Sequence, residues 1–172
     1  MNQAYAEILD NFTMAPGYHK MTLGCETPFG AAQPGQFVML SIGAGATPLL
    51  RRPFSIHRMV PEAAGRVKLE ILYKVVGEGT DIMALMPVGT MVDILGPLGK
   101  GFIVRGHYRR IYIAAGGIGA APMVFLLETV RQQPETCQCH VFLGGRSRGD
   151  LLCRERFEQL ADQVDCSVFC VG

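Results

Sequence analysis

The chain has 172 residues, 49% hydrophobic and 18% charged, enough apolar material for one full-sized or two small packed domains and too apolar for extended disorder. Its formal net charge of +1 provides neither a basic field for nucleic acid nor an acidic tail. No apolar run reaches membrane-spanning length, and the N-terminal MNQAYAEILDNF lacks the basic head and apolar run of a secretory signal, so a soluble cytoplasmic protein is expected.

The first hundred residues read as six short strands: AEILDNF, HKMTLGC, QFVMLSI, FSIHRMV, RVKLEILYKV and TMVDIL. Turn-forming stretches separate them, such as APGY, AAQPGQ, GAGATP and PEAAG. In RVKLEILYKV, Val67, Leu69, Ile71 and Tyr73 alternate with Lys68, Glu70, Leu72 and Lys74, the period of two of a half-buried strand. Six strands at regular spacing predict a small antiparallel barrel. One brief helix interrupts them, with Thr80 as its expected N-cap, DIMALM as its body and Pro87 as its stop.

After GPLGKGF the pattern changes. RRIYIAAGG is a continuous apolar strand running into glycines. APMVFLLETVRQQP follows as a helix, with Met123, Leu126, Leu127 and Val130 at helical spacing and Pro134 as its stop. CHVFLGG is the next strand, RERFEQLADQV a helix with Phe157, Leu160, Ala161 and Val164 on one face, and CSVFCVG a third strand. Strand and helix in alternation predict parallel pairing with right-handed crossovers. The expected division is a barrel over residues 1–105 and an α/β domain over 106–172, whose three strands leave an edge unpaired.

Three stretches carry candidate chemistry. In AAGGIGAAPM, Gly116, Gly117 and Gly119 lie where a strand turns into a helix, and Pro122 suits that helix's first turn. Such a turn either lets backbone amides approach a pyrophosphate or is purely steric. In YKVVGEGT, Gly77 and Gly79 end a strand before Thr80, which gives a second anion-ready helix start or a simple capped turn. In LRRPFSI, Arg51 and Arg52 are either a solvated strand entry or a phosphate ligand beside an aromatic and a hydroxyl.

Taken in order and spacing, LRRPFSI, LYKVVGEGT, LGPLGKGF and AGGIGAAP resemble the ferredoxin–NAD(P)H reductase superfamily, and within it the electron-transfer subunits of two-subunit, NAD-dependent dihydroorotate dehydrogenases. The resemblance covers essentially the whole chain. It implies a six-stranded antiparallel Greek-key barrel that holds FAD, followed by the first half of a parallel-sheet domain that binds NAD. Arg52, Pro53, Phe54 and Ser55 match the family's R-x-[YF]-S segment. There the arginine meets flavin phosphate, the aromatic lies by the flavin, and the serine hydroxyl orients near the reactive nitrogen. Leu72, Tyr73 and Lys74 match the second flavin-contacting strand, and Gly79 and Thr80 the pyrophosphate-binding helix start. Gly116, Gly117 and Gly119 match the loop under the nicotinamide nucleotide's pyrophosphate. The implied partner is an FMN-containing dihydroorotate dehydrogenase subunit, reached through a [2Fe–2S] cluster.

The cluster is where this sequence departs from the family, whose ligands lie in a C-terminal segment. Cys25, Cys137, Cys139, Cys153, Cys166 and Cys170 form no C-x-x-C pair and do not match them, so they read as buried thiols. His57, a lone histidine in a strand, reads as structural, and Arg146 and Arg148 as loop charges. Related readings are the small flavin subunit of an NADH-dependent ferredoxin:NADP reductase or of a hydrogenase-associated diaphorase. A reading of another class is a non-catalytic flavin-binding module. Response of the flavin to NADH separates that module from the others.

Overall fold

The structure, a computed structural model, describes residues 2–42, 50–104, 108–132, 138–161 and 166–171. Six strands, β1 (Asn2–Ala15), β2 (Tyr18–Glu26), β3 (Phe37–Ser41), β4 (Arg52–Pro61), β5 (Arg66–Lys74) and β6 (Met91–Leu98), close an antiparallel barrel in the order β1-β2-β5-β4-β3-β6. A seven-residue helix, α1 (Glu78–Ala84), follows β5. Three further strands, β7 (Arg110–Gly116), β8 (Gln138–Gly144) and β9 (Cys166–Val171), form a parallel sheet in sequence order, with α2 (Ala121–Arg131) and α3 (Arg154–Ala161) in the crossovers. The expected domain boundary at 105/106 falls between Leu98 and Arg110, at residues outside those described. So do Cys137, Pro134 and Val164.

Strand β1 is longer than AEILDNF because its inward positions begin with alanines, which give a weak hydrophobic signal. Ala6 and Ile8 are fully buried, while Tyr5 between them and the N-terminus is 71% exposed. Its first half pairs with β6 and its second half with β2, so this one strand closes the barrel. Inside, Met21, Leu23, Val38, Leu40, Ile56, Leu69, Ile71 and Ile94 interdigitate in one core. Each fully buried aliphatic side chain there contributes about 1.5–3 kcal/mol relative to exposure. The alternation in β5 holds on the core face, where Val67, Leu69, Ile71 and Tyr73 all belong to that core. It fails on the outer face, because Glu70 and Leu72 are buried as well. Lys20 and Arg58 cover Glu70, with Nζ to Oε1 at 3.1 Å and Nη1 to Oε2 at 3.8 Å.

The second core lies between the parallel sheet and its two helices, around Ile113, Val124, Leu127, Val141, Leu143, Phe157 and Leu160. The two cores exchange side chains where the barrel meets the helices of the parallel sheet. Phe125 of α2 packs against the barrel core, and Tyr18 of β2 belongs to the second core. On the other face of the sheet Tyr112 stacks on His140 and Phe142 on Phe169, with ring centroids 5.1 and 5.0 Å apart. Tyr112 and Phe169 remain 63% and 48% exposed. Parallel sheets are ordinarily covered on both faces; among the described residues nothing covers this one.

Candidate functional site

Where β4, the end of β5, the start of α1 and the start of α2 meet, they enclose a cleft of about 620 Å³. That is within the range of small-molecule and cofactor sites. All nine residues expected at the flavin line it: Arg52, Pro53, Phe54 and Ser55 from β4, Leu72, Tyr73 and Lys74 from β5, and Gly79 and Thr80 from α1. Gly119 lines the facing wall with Ile118, Ala121 and Pro122. Gly116 and Gly117 instead line a neighbouring cavity of about 290 Å³ with Tyr18, Gly144, Gly145, Arg146 and Asp150. The expected nucleotide loop therefore runs from one cavity into the other, as a 3₁₀ turn (Gly117–Ala120) continuous with α2. Gly117 has φ +51°, a left-handed conformation that glycine adopts without strain.

The two neighbouring arginines have different surroundings. Arg51 pairs with the Asp93 carboxylate of β6, and its Nη1 donates to the Asp93 carbonyl at 3.2 Å. Arg52 donates Nη1 to the Leu50 carbonyl at 2.8 Å and has no carboxylate partner among the described residues. Its charge is open to a ligand, and that of Arg51 is spent on the fold. Beyond Arg52, strand alternation turns Pro53 and Ser55 to the exposed side and Phe54 inward. Phe54 is 8% exposed and meets Tyr73 edge-on at 6.0 Å, so its ring forms the floor of the cleft.

Residues 113–170 match the oxidoreductase NAD-binding domain family. The chain is 40% identical over 159 residues to the dihydroorotate dehydrogenase B (NAD(+)) electron transfer subunit of Desulforamulus reducens, covering 92% of this chain and 59% of that one. To the subunit of the same name from Bacillus pumilus it is 32% identical over 171 residues, covering 98% and 64%. Its fold matches the Amycolatopsis cytochrome P450 reductase GcoB with a TM-score of 0.82 at 23% identity, over 98% of this chain and 51% of that one. It also matches an NADH-dependent reduced ferredoxin-NADP oxidoreductase with a TM-score of 0.78 at 22% identity, over 98% and 58%. The chain has the fold of these reductases. It spans about three fifths of the length of the curated relatives it matches.

Thr80 is not the N-cap of α1. Gly77 holds that position and Thr80 is the third helical residue, because its hydroxyl reaches back to the preceding turn. Thr80 Oγ1 accepts from the amides of Val76 at 2.9 Å and Gly77 at 3.2 Å and donates to the Gly77 carbonyl at 2.8 Å. The hydroxyl is consumed in shaping the turn. The first-turn amides of Glu78 and Gly79, which no intrahelical carbonyl can reach, are the donors left at the cleft.

Sequence reasoning missed the side chains behind the cleft wall. Asn11 on β1 donates Nδ2 to the carbonyls of Met83 at 2.8 Å and Met86 at 3.1 Å, at the end of α1, and its Oδ1 accepts from the Tyr73 hydroxyl at 2.9 Å. One amide thus ties α1 to a residue of the cleft. Burial pushes the Tyr73 phenol up to about 12, which keeps it a donor at neutral pH. The Tyr18 hydroxyl, 132 residues from its partner, donates to Asp150 Oδ1 at 2.9 Å, while Lys74 Nζ sits 4.9 Å from the Tyr18 ring centroid. Hydrogen bonds from Tyr18 and then Ser147 hold the Asp150 carboxyl below its usual range.

His57, read from the sequence as structural, is 5% exposed and lies between the barrel and α2. Burial lowers its imidazole below the ordinary value, reinforced by Lys20 and Arg58 and opposed by the Ala121 carbonyl and Glu70. The folded chain therefore disfavours the proton that an unfolded chain takes up near about pH 6.5. More protons bound in the unfolded state make stability rise with pH. This contribution is complete above that value and lost as pH falls below it, by at most about 1.4 kcal/mol per pH unit. Urea unfolding between pH 7.5 and 5.5 is expected to show that loss, and to show a shallower one in His57→Asn.

Proposed function

We propose that this chain binds FAD and passes reducing equivalents between an FMN-containing dihydroorotate dehydrogenase subunit and NAD. The observation that carries the reading is the single cleft in which the β4, β5 and α1 residues face the glycine turn of the α/β domain. The cleft suits a flavin dinucleotide. It offers one arginine with no carboxylate partner among the described residues, a largely buried wall of Phe54, Leu72 and Tyr73, and open space in front of Gly77 and Gly119, where an added Cβ would meet nothing within 4 Å.

In this reading Arg52 neutralises a phosphate of the dinucleotide, with a charge-assisted bond of the stronger kind. The amides of Glu78 and Gly79 take the pyrophosphate. Leu72 and Tyr73 exclude water from the ring edge, and the exposed Ser55 hydroxyl orients the ring by donating a hydrogen bond. The turn from Gly116 to Gly119 brings backbone close to the pyrophosphate of NAD. A flavin bound here would supply hydride exchange with nicotinamide, and the protein's task is to align the two rings. The residues present do not fit a [2Fe–2S] cluster: among those described, no three His, Cys, Asp or Glu side chains gather to hold a metal. Cys25 and Cys139 are buried within the two cores.

An anaerobic NADH titration of the FAD-loaded chain tests the reading. Bleaching of the flavin band is expected. A yellow chain inert to NADH, or a chain that takes up no FAD, overturns it. Reduction by dihydroorotate is expected only after the FMN-containing subunit is added.

A further inference from the structure

Strand β4 carries a bulge immediately beyond the cleft. Ile56 lies opposite Ile71 of β5 and Arg58 opposite Glu70, so His57 is an extra residue with no partner of its own. The bulge changes the parity of the strand. Before it the core-facing positions are Phe54 and Ile56; after it Met59 packs on the same core. His57 and Arg58, which strict alternation would send to opposite faces, both turn outward toward α2.

There they hold one helix at two points. His57 Nδ1 lies 2.7 Å from the Ala121 carbonyl, and Arg58 Nε lies 2.9 Å from Glu128 Oε1. Ala121 and Glu128 are seven residues apart, two turns and about 10 Å along the axis, on one helix face. A carbonyl only accepts, so the imidazole is the donor, in its Nδ1–H form. Burial favours the neutral ring. A lysine or arginine would bring a charge to this buried spot at far greater cost.

The contact links the two walls of the cleft. Two residues before His57 is Ser55, on the β4 wall, and two residues before Ala121 is Gly119, on the facing wall. We propose that His57 is a positioning residue that sets the spacing of these walls, and so the alignment of the nicotinamide with the flavin. This rests on the reading of the cleft as a flavin–nicotinamide site. His57 touches neither ring in this account; it acts through the Ala121 carbonyl. Within α2 that carbonyl also has its own helical acceptor role, so loss of the imidazole N–H shifts the wall without leaving a buried carbonyl unpaired.

The test compares FAD-loaded wild type, His57→Leu and His57→Asn. Leucine keeps bulk without a donor, and asparagine places an amide N–H close to where Nδ1 stood. Rapid-mixing reduction by NADH is expected to show a limiting rate at least tenfold lower in His57→Leu. The half-saturating NADH concentration and the FAD content should stay near wild type, and His57→Asn should recover to within about threefold. Wild-type rates in His57→Leu, or equal slowing in both variants, overturn the proposal. Amide hydrogen exchange over residues 117–124 is read without NADH. Faster exchange in His57→Leu but not in His57→Asn supports the positioning role, and unchanged exchange overturns it. A wild-type chain inert to NADH overturns the reading of the cleft, and the exchange result then decides the role of His57 by itself.

Discussion

Arg52→Ala is expected to leave the purified chain largely colourless, with FAD affinity reduced by about 10- to 150-fold. A hydrogen bond to a charged group contributes about 1.5–3 kcal/mol net, and each 1.4 kcal/mol is tenfold in a dissociation constant. The substitution tests binding more than folding, because Arg52 has no carboxylate to abandon among the described residues and gives up only its bond to the Leu50 carbonyl. The neighbouring arginine supplies the control. Arg51→Ala removes the partner of Asp93, so it is expected to lower stability while the chain stays yellow. Flavin-to-protein ratio after gel filtration, followed by fluorescence titration with FAD, reads both variants. Full retention of flavin by Arg52→Ala, or its loss by Arg51→Ala instead, would reverse the roles assigned to the pair.

That reversal was already open in the sequence, where two adjacent arginines look alike. The stretch RRPFSI marks a basic strand entry, and the resemblance selects the second arginine, but only the barrel closure brings Asp93 of β6 to the first. The same division runs through the whole site. Features encoded within a few residues of one another were legible: the period of two in β5, the glycines that end β7, the proline in the first turn of α2. The nine residues expected at the flavin fall in three such short stretches, and the fold brings them to one cleft.

Features that depend on partners far along the chain were not legible. Asn11 reads as a polar residue in a strand, and nothing local connects it to Met83, Met86 and Tyr73. Glu70 reads as an outward-facing charge, and it is buried because Lys20 and Arg58 arrive over it from two other strands. His57 sits in a run, FSIHRMV, whose core-facing positions pass from Ile56 to Met59 without any glycine or proline to mark the bulge. Periodicity reports which face of an element is covered, not what covers it. Thr80 failed for a different reason. Ser and Thr favour the N-cap position, yet here glycine takes the cap and the threonine supplies its hydroxyl from one turn later.

Gly119→Val is the second large effect. At this position the backbone is not left-handed, and an added Cβ would meet nothing within 4 Å, so valine is compatible with the fold. The space it enters is the cleft itself, on the wall facing Arg52 and Ser55. If the pyrophosphate of NAD lies against this turn, a branched side chain removes the close approach that glycine allows. Overpacking of a fitted site costs about 1–3 kcal/mol, or about 5- to 150-fold in affinity. The expected variant is therefore yellow, still bleached by dithionite, and half-saturated only at NADH concentrations at least about fivefold higher. Gly117 cannot replace it in this test, since its φ of +51° would add backbone strain to any steric effect. If Gly119→Val instead loses FAD and an unchanged NADH response returns when FAD is resupplied, the turn belongs to the flavin half of the cleft. The nicotinamide nucleotide would then have to enter from the neighbouring cavity beside Gly116 and Gly117.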